Sequence, residues 1–280
     1  MTPAERAELA LLLEVAGAPK PGNVDRERDL ADLRFEQFLA GAVGARAGLE
    51  RAADPEEPLG DAFETAVAGM ADAAGTNTQF GCLLLLAPLV RTAATGDLTR
   101  ERATGVVEST TVADAAAFYR AFDHADVAVQ EPPEGAAELD VRRGANAVPA
   151  LRDRGLTLAD VLELSADRDA NAGEWTRGFP RVFRTAAQIE ASDGPLVDRA
   201  ADAFLHLLAE APDTLVATNH GEAVAREVRE RALELQSADR DAVRAFADEL
   251  VERGVNPGTT ADLTAAALFV ALERGVSVRD

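Results

Sequence analysis

An all-α fold is predicted by three features of the sequence. Apolar residues recur at helical spacing along nearly the whole chain, Thr, Ser and Pro stand where helices would begin, and the few alternating stretches lack a hairpin partner. The expected architecture is a single globular all-α domain over residues 1–280, built from roughly ten to twelve helices. At 47% hydrophobic, the chain has ample material for a core.

The elements follow in order. Thr2, Pro3 and Glu5 make a capping-box start for the first helix, whose apolar stripe reads Leu9, Leu12, Leu13 and Ala16 before Gly17 ends it. "RFEQFLAGAVGARAG" comes next, with Phe35, Phe38, Leu39 and Val43 at helical spacing. "PLGDAFETAVAGMADAAG" and "TQFGCLLLLAPLVRTAATG" give a third and a fourth helix. Later helices are predicted over 100–107, 111–123, 158–165, 178–191, 196–210, 222–235, 238–253 and 260–274, with Ser237 and Thr259 or Thr260 as caps for the last two. "ADVAVQ" (125–130) and "VSVRD" (276–280) alternate briefly, and 131–155 reads as a long loop. No self-similar period indicates a repeat fold.

Composition narrows the function. The chain has 49 Asp and Glu against 28 Lys and Arg, a formal charge of −21, which argues against nucleic acid as a partner. The acids are dispersed over helical faces, and all cations but Lys20 are arginine. Dispersed acid with almost no lysine suggests adaptation to a cytoplasm of molar salt, where the Debye length is about 3 Å. A GC-rich coding bias also favours arginine over lysine, so composition alone leaves both explanations open. The longest apolar run, "CLLLLAPLV" (82–90), is far short of the ~20 residues that cross a bilayer. The N-terminus has no basic-then-apolar leader pattern, so a cytoplasmic, membrane-free protein is expected. One cysteine and three scattered histidines make neither a disulfide nor a zinc pattern.

Three loop segments break the helical pattern. In "GAPKPGNVDR" (17–26), Pro19 and Pro21 stiffen the backbone around the only lysine, Gly22 permits close backbone approach, and Asn23, Asp25 and Arg26 follow. A cation, an amide and a carboxylate on a rigid loop suit a phosphate with Mg²⁺; a plain Pro-Gly turn is the alternative. "AGTNTQFG" (74–81) sets Gly75, Thr76, Asn77 and Thr78 at the start of the apolar fourth helix, as anion site or as ordinary cap. "GVNPGTTADLTAAALF" (254–269) sets Pro257, Gly258, Thr259 and Thr260 at another helix start, with Asp262 in its first turn. The helix dipole by itself favours an acid there, and Asp262 can equally serve a metal. Cys82 reads as a core thiol, and Trp175 as a packing residue that can also stack on a base.

In this order and at these separations, the three segments resemble the triphosphoribosyl-dephospho-CoA synthases, the CitG type. The family's Thr-Pro-Lys-Pro-Gly-x-Val-Asp-Arg is matched by "APKPGNVDR", preceded by an acidic residue and valine as in "EVAG". Its Gly-x-Asn-Thr-His-Lys-Gly is matched by "GTNTQFG", and its Ser-Pro-Gly-Gly-Ser-Ala-Asp-Leu by "NPGTTADL". A weaker Asp-Thr-x-Val element is echoed by "DTLVATNHG" (213–221). The resemblance implies an all-helical fold. It also implies a reaction in which a ribose hydroxyl of 3′-dephospho-CoA displaces adenine from C1′ of ATP and so gains a triphosphoribosyl group. Carried onto this sequence, it implies Asp25 and Asp262 as catalytic groups. Lys20, Gly22, Arg26, Asn77, Thr78, Gly258 and Thr259 would hold nucleotide and phosphate. Mg²⁺ would lie on Asp25, Asp213 and Asp262, with ATP and dephospho-CoA as partners.

The departures are specific. The family's His-Lys-Asp-Met element is absent from "RERDLADLRFEQF", where Asp29 alone survives, and Gln79-Phe80 replaces its His-Lys. The acidic, Gly-rich segment before Tyr-Pro is reduced to "AGEWTRGFP" (172–180). These losses point to a divergent branch, haloarchaeal by its composition, in which the ATP half is better kept than the acceptor half. A related acceptor, a glycohydrolase or phosphotransferase on the same scaffold, and a nucleotide-binding helical protein are the alternatives.

Overall fold

Small residues decide how closely these helices approach. The computed structural model describes residues 1–132 and 135–279. Its first four helices are α1 (Pro3–Ala16), α2 (Phe35–Ala53), α3 (Leu59–Ala74) and α4 (Phe80–Thr95). Between α2 and α3 the backbones nearly touch. A Cβ added at Gly44 would lie 2.2 Å from the carbonyl oxygen of Gly69, and one at Gly48 would lie 2.2 Å from the amide nitrogen of Ala66.

The chain continues through α5 (Arg100–Glu108), α6 (Val112–Ala121), α7 (Val148–Arg154), α8 (Leu158–Glu163), α9 (Ala170–Thr176) and α10 (Pro180–Ala191). It closes with α11 (Leu196–Glu210), α12 (Thr214–His220), α13 (Glu222–Leu235), α14 (Arg240–Glu252) and α15 (Gly258–Glu273). Among the described residues there are fifteen α-helices, two short 3₁₀ turns within 137–147 and no strand. All-α is therefore the fold, with more helices than the expected ten to twelve. The additional three are α7, α9 and α12, each seven residues long and too short to show a helical period. α7 lies inside the stretch read as a long loop, of which residues 133 and 134 lie outside the described residues. The alternating segments 125–130 and 276–279 are irregular or turn, since neither pairs with another extended segment; residue 280 lies outside the described residues.

α15 is the centre. Every residue from Thr259 to Leu272 is buried except Asp262, because "TTADLTAAALFVAL" offers no polar face and α1, α4, α10 and α11 enclose it. α4 is buried from Cys82 through Val90 for the same reason. A second cluster, with Phe204, Leu208, Val228, Phe246 and Leu250, joins α11, α13 and α14. No described helix is long and apolar enough to cross a membrane.

α1 departs from its expected stripe. Its most deeply buried face is Ala4, Ala7, Ala10, Leu11, Glu14 and Val15, while Leu9, Leu12 and Leu13 are only partly covered. Alanines admit the neighbouring backbones more closely than leucines would, and that face carries a carboxylate into the interior.

Gly48→Ala is expected to destabilise the fold by about 1–3 kcal/mol through overpacking. Gly105→Ala, in α5 with nothing within 4 Å of the added methyl, is expected to raise stability by about 0.5–1 kcal/mol. Thermal unfolding of the two variants side by side checks the opposite signs.

Candidate active site

The loop after α1 is polar in sequence yet buried in structure. Every residue from Gly17 through Asp25 is buried, Lys20 completely and Asp25 at 1% exposure. A buried ammonium demands partners. The Nζ of Lys20 donates to Oε1 of Glu14 and to Oδ1 of Asn23 at 3.0 Å, and it lies 5.7 Å from the centre of the Phe204 ring. Asn23 in turn donates to Oδ1 of Asn256 at 2.8 Å, which ties this loop to the one before α15.

Asp25 organises the loop from within. It accepts from the backbone amides of Lys20 (2.9 Å), Glu27 (2.8 Å) and Arg28 (3.0 Å) and from the Arg28 guanidinium at 2.8 Å. Gly22 has a φ of +71°, and a Cβ there would lie 2.2 Å from the carbonyl oxygen of Val255. What approaches Gly22 closely is therefore the chain's own α14–α15 connection.

These loops border a cavity of about 470 Å³. Its polar wall carries Glu14, Asn23, Asn77, Asn171, Asn256 and Asp262, with Thr78, Gly258 and Thr259 beside them. Its apolar wall includes Phe38, Phe80, Phe118 and Phe122, of which the last three form a mutual aromatic cluster with centroids 4.8–6.4 Å apart. The irregular 126–130 segment runs along the same wall and is held there by Asn77, whose Nδ2 donates to the Asp126 carbonyl at 3.0 Å.

Asp262 has the most unusual environment on this wall. It accepts from Nδ2 of Asn171 at 2.8 Å and from the Cys82 thiol at 3.1 Å. Burial pushes its carboxyl up to about 7, with further raising by the charges of Asp213 and Glu14 against the two hydrogen bonds. Burial and Asp262 likewise push the Cys82 thiol well up, so it is a neutral donor. Gly81 is glycine because a Cβ there would fall 2.0 Å from Oδ2 of Asp262. Oδ1 of Asn171 is buried and has no partner.

The structure thus divides the residues that the sequence nominates. Asn77, Thr78, Gly258, Thr259 and Asp262 come together on the cavity wall. Lys20, Gly22, Asp25, Arg26 and Asp213 do not line it. Lys20 is consumed by Glu14, and Arg26 is exposed and donates to the Ala16 carbonyl at 2.8 Å. Asp213 caps α12 through Leu215 and Val216 and holds the amide and hydroxyl of Thr260, both at 2.7 Å. Trp175 is buried and donates to the Leu84 carbonyl, so it packs and does not stack on a base. Gln79 is also buried, its amide oriented toward Gly41 of α2 and not the cavity. Sequence reasoning missed Glu14, Asn171 and Asn256 as wall residues. Glu14 was detectable as the one acid on the alanine face of α1.

The profile of the CitG family, ATP:dephospho-CoA triphosphoribosyl transferase, matches residues 1–279. The chain belongs to that family. A solved structure from Archaeoglobus fulgidus, provisionally described as a triphosphoribosyl-dephospho-CoA synthase, shares the fold. It aligns with a TM-score of 0.70 and 24% identity, covering 86% of this chain and 99% of its own.

The transferase therefore moves a triphosphoribosyl group from ATP to dephospho-CoA. Among the described residues, no three His, Cys, Asp or Glu groups are placed to hold an ion. Asp25 and Asp213 already spend their oxygens on internal donors.

Two carboxylates of the transferase should respond in opposite ways. Asp262 is raised from 3.8 to about 7, so its contribution to stability is complete below pH ~4 and lost as pH rises through ~7. Asp262→Asn removes that loss and is expected to raise the melting temperature at pH 8 while changing it little at pH 5. Asp25→Asn leaves the backbone amides of Lys20, Glu27 and Arg28 with a poorer acceptor, while Arg28 keeps Asp248 and Glu27, and is expected to cost about 1–3 kcal/mol. Melting curves of both variants at the two pH values, in one salt, provide the check.

Proposed function

We propose that this cavity is where C1′ of the ATP ribose loses adenine and gains the hydroxyl oxygen of dephospho-CoA or a closely related acceptor. The observation that carries the reading is convergence. Segments from the α1–α2 and α3–α4 loops, the start of α12 and the α14–α15 connection meet around one cavity lined by both polar groups and aromatic rings. The ring faces of Phe80, Phe118 and Phe122 suit the adenine base. Oδ1 of Asn171, which has no hydrogen-bond partner among the described residues, and the side-chain amide of Asn256, which accepts from Asn23 but donates to none of them, suit ribose hydroxyls.

The chemistry needs a proton delivered to the departing base. C1′–N9 cleavage leaves an electron pair on adenine, and a carboxyl that is still protonated near neutrality is the efficient donor. Asp262 is in that state, and Asn171 and Cys82 fix its orientation. Asp25 and Asp213 act at one remove, by shaping the loops.

The triphosphate is the harder ligand to place. Among the described residues, the cavity wall carries the acids Glu14, Asp32, Asp126, Asp140, Asp169 and Asp262 against one cation, Arg168. A polyanion entering such a wall brings its own counter-charge, so the nucleotide is taken as Mg·ATP. The acidic composition supports a cytoplasm of high salt, where the long-range repulsion is screened. Residues 1–280 act as one all-α domain, a reading supported by the contact of α1 with α15 at opposite ends of the chain.

The test is chromatography for free adenine after incubation with Mg·ATP in molar KCl, with and without dephospho-CoA. Adenine release that depends on dephospho-CoA is expected. Release without any acceptor would make the protein a glycohydrolase, and ATP binding without adenine would make it a binding protein.

A further inference from the structure

Glu14, the acidic residue that precedes the first loop motif, takes a place in the cavity wall. It is 1% exposed, yet it is a wall residue, so the little surface it keeps faces the cavity. Its Oε1 is taken by Lys20, while among the described residues Oε2 has no hydrogen-bond partner. A carboxylate is not brought into a core for its own stability, and burying it together with a lysine gains little over an apolar pair. What the arrangement leaves is one carboxylate oxygen without an internal partner among the described residues, beside a lysine and at the cavity wall.

We propose that Glu14 is the second catalytic carboxylate, the general base that takes the proton of the acceptor hydroxyl. The inference rests on the transferase reading above. In the step, the acceptor oxygen forms its bond to C1′ as the C1′–N9 pair leaves with adenine. The hydroxyl proton passes to Oε2 of Glu14, and the Asp262 proton passes to adenine. Afterwards Glu14 is protonated and Asp262 ionised, and transfer of one proton between them through water restores the starting state. Atoms and charges balance without any other reactant.

The neighbours decide which carboxyl is base and which is acid. Around Glu14 stand Lys20 and Asp25 from the following loop, Cys82 from α4 and Asp262 from α15, while α11 presents the Phe204 ring. Burial is the largest influence and leaves Glu14 above the ordinary carboxylate range, while the Lys20 ammonium beside it opposes that rise and favours the ionised form a base needs. Asp262 has Glu14, Asp213, Asn171 and the neutral Cys82 around it and no cation in contact. The lone lysine thus sets the two carboxyls apart.

The experiment removes the charge and its partner together. Glu14→Gln/Lys20→Met leaves no unpaired charge in the core, and such neutral replacements of buried ion pairs generally fold. Adenine release with saturating Mg·ATP and dephospho-CoA is expected to fall about 10²- to 10⁴-fold, the usual contribution of a general base. Lys20→Met alone should raise the pH at which activity falls on the acid side, since Glu14 then loses the charge that keeps it ionised.

If Glu14 served only to neutralise Lys20, the double variant would relieve the fault. Near-wild-type release by the folded double variant would overturn the proposal. A wild-type pH profile of kcat with no fall on the acid side would overturn it without any variant. A wild type that releases no adenine at all would instead sink the transferase reading, a result distinct from both.

Discussion

The Lys20–Glu14 ion pair is the constraint on which the site depends. It closes the loop after α1 against the helix that precedes it, and through Asn23 and Asn256 it reaches the loop before α15. Removing one half of such a pair costs about 3–5 kcal/mol, because the other charge is left in the core. The identity of the cation follows from the space. An ammonium can serve Glu14, Asn23 and the Phe204 ring from one compact centre, while a planar guanidinium needs a wider opening than this enclosed loop provides. In a chain whose other cations are all arginine, the lysine stands where arginine does not fit.

From that pair the electrostatics of the cavity follow. One carboxyl, Glu14, has a cation beside it, and the other, Asp262, has an amide and a thiol. The same low-dielectric wall therefore holds a base and an acid, and the rest of the fold keeps them in place. The buried helix α15 carries Asp262, α4 carries Cys82, and Gly81 permits the close approach of Asp262 and Asn171. The acids on the wall make the cavity selective for ligands that arrive with cations, and screening by salt lowers the barrier to entry.

Much of this was legible in the sequence, for physical reasons. Helical periodicity over long segments gave twelve of the helices, and the three loop motifs pointed to one site because glycine, proline and short polar residues cluster where backbone must turn. α7, α9 and α12, at seven residues each, were not legible, whereas the still shorter α8 was marked by its apolar Leu158, Val161 and Leu162. Side-chain direction was not legible either. Lys20 reads as a phosphate contact from its loop, but only the packing of α11 and α1 shows that it turns inward. Asp25 and Asp213 read as ligands, and the structure shows them saturated by backbone donors. Glu14 read only as the acid ahead of the first motif, because the small residues of its helix face score weakly as a core and did not show that it turns inward.

The ion pair is open to a direct spectroscopic test, because the chain holds a single lysine. Labelling with ¹⁵N-lysine gives one side-chain nitrogen signal with no need of a mutation. Burial and hydrogen bonding to Glu14 and Asn23 predict Nζ protons protected from solvent exchange at neutral pH, and a shift of that signal when Mg·ATP and dephospho-CoA fill the neighbouring cavity. A signal with the exchange rate and position of a free lysine side chain, unmoved by either substrate, would contradict a buried pair at the wall of the site.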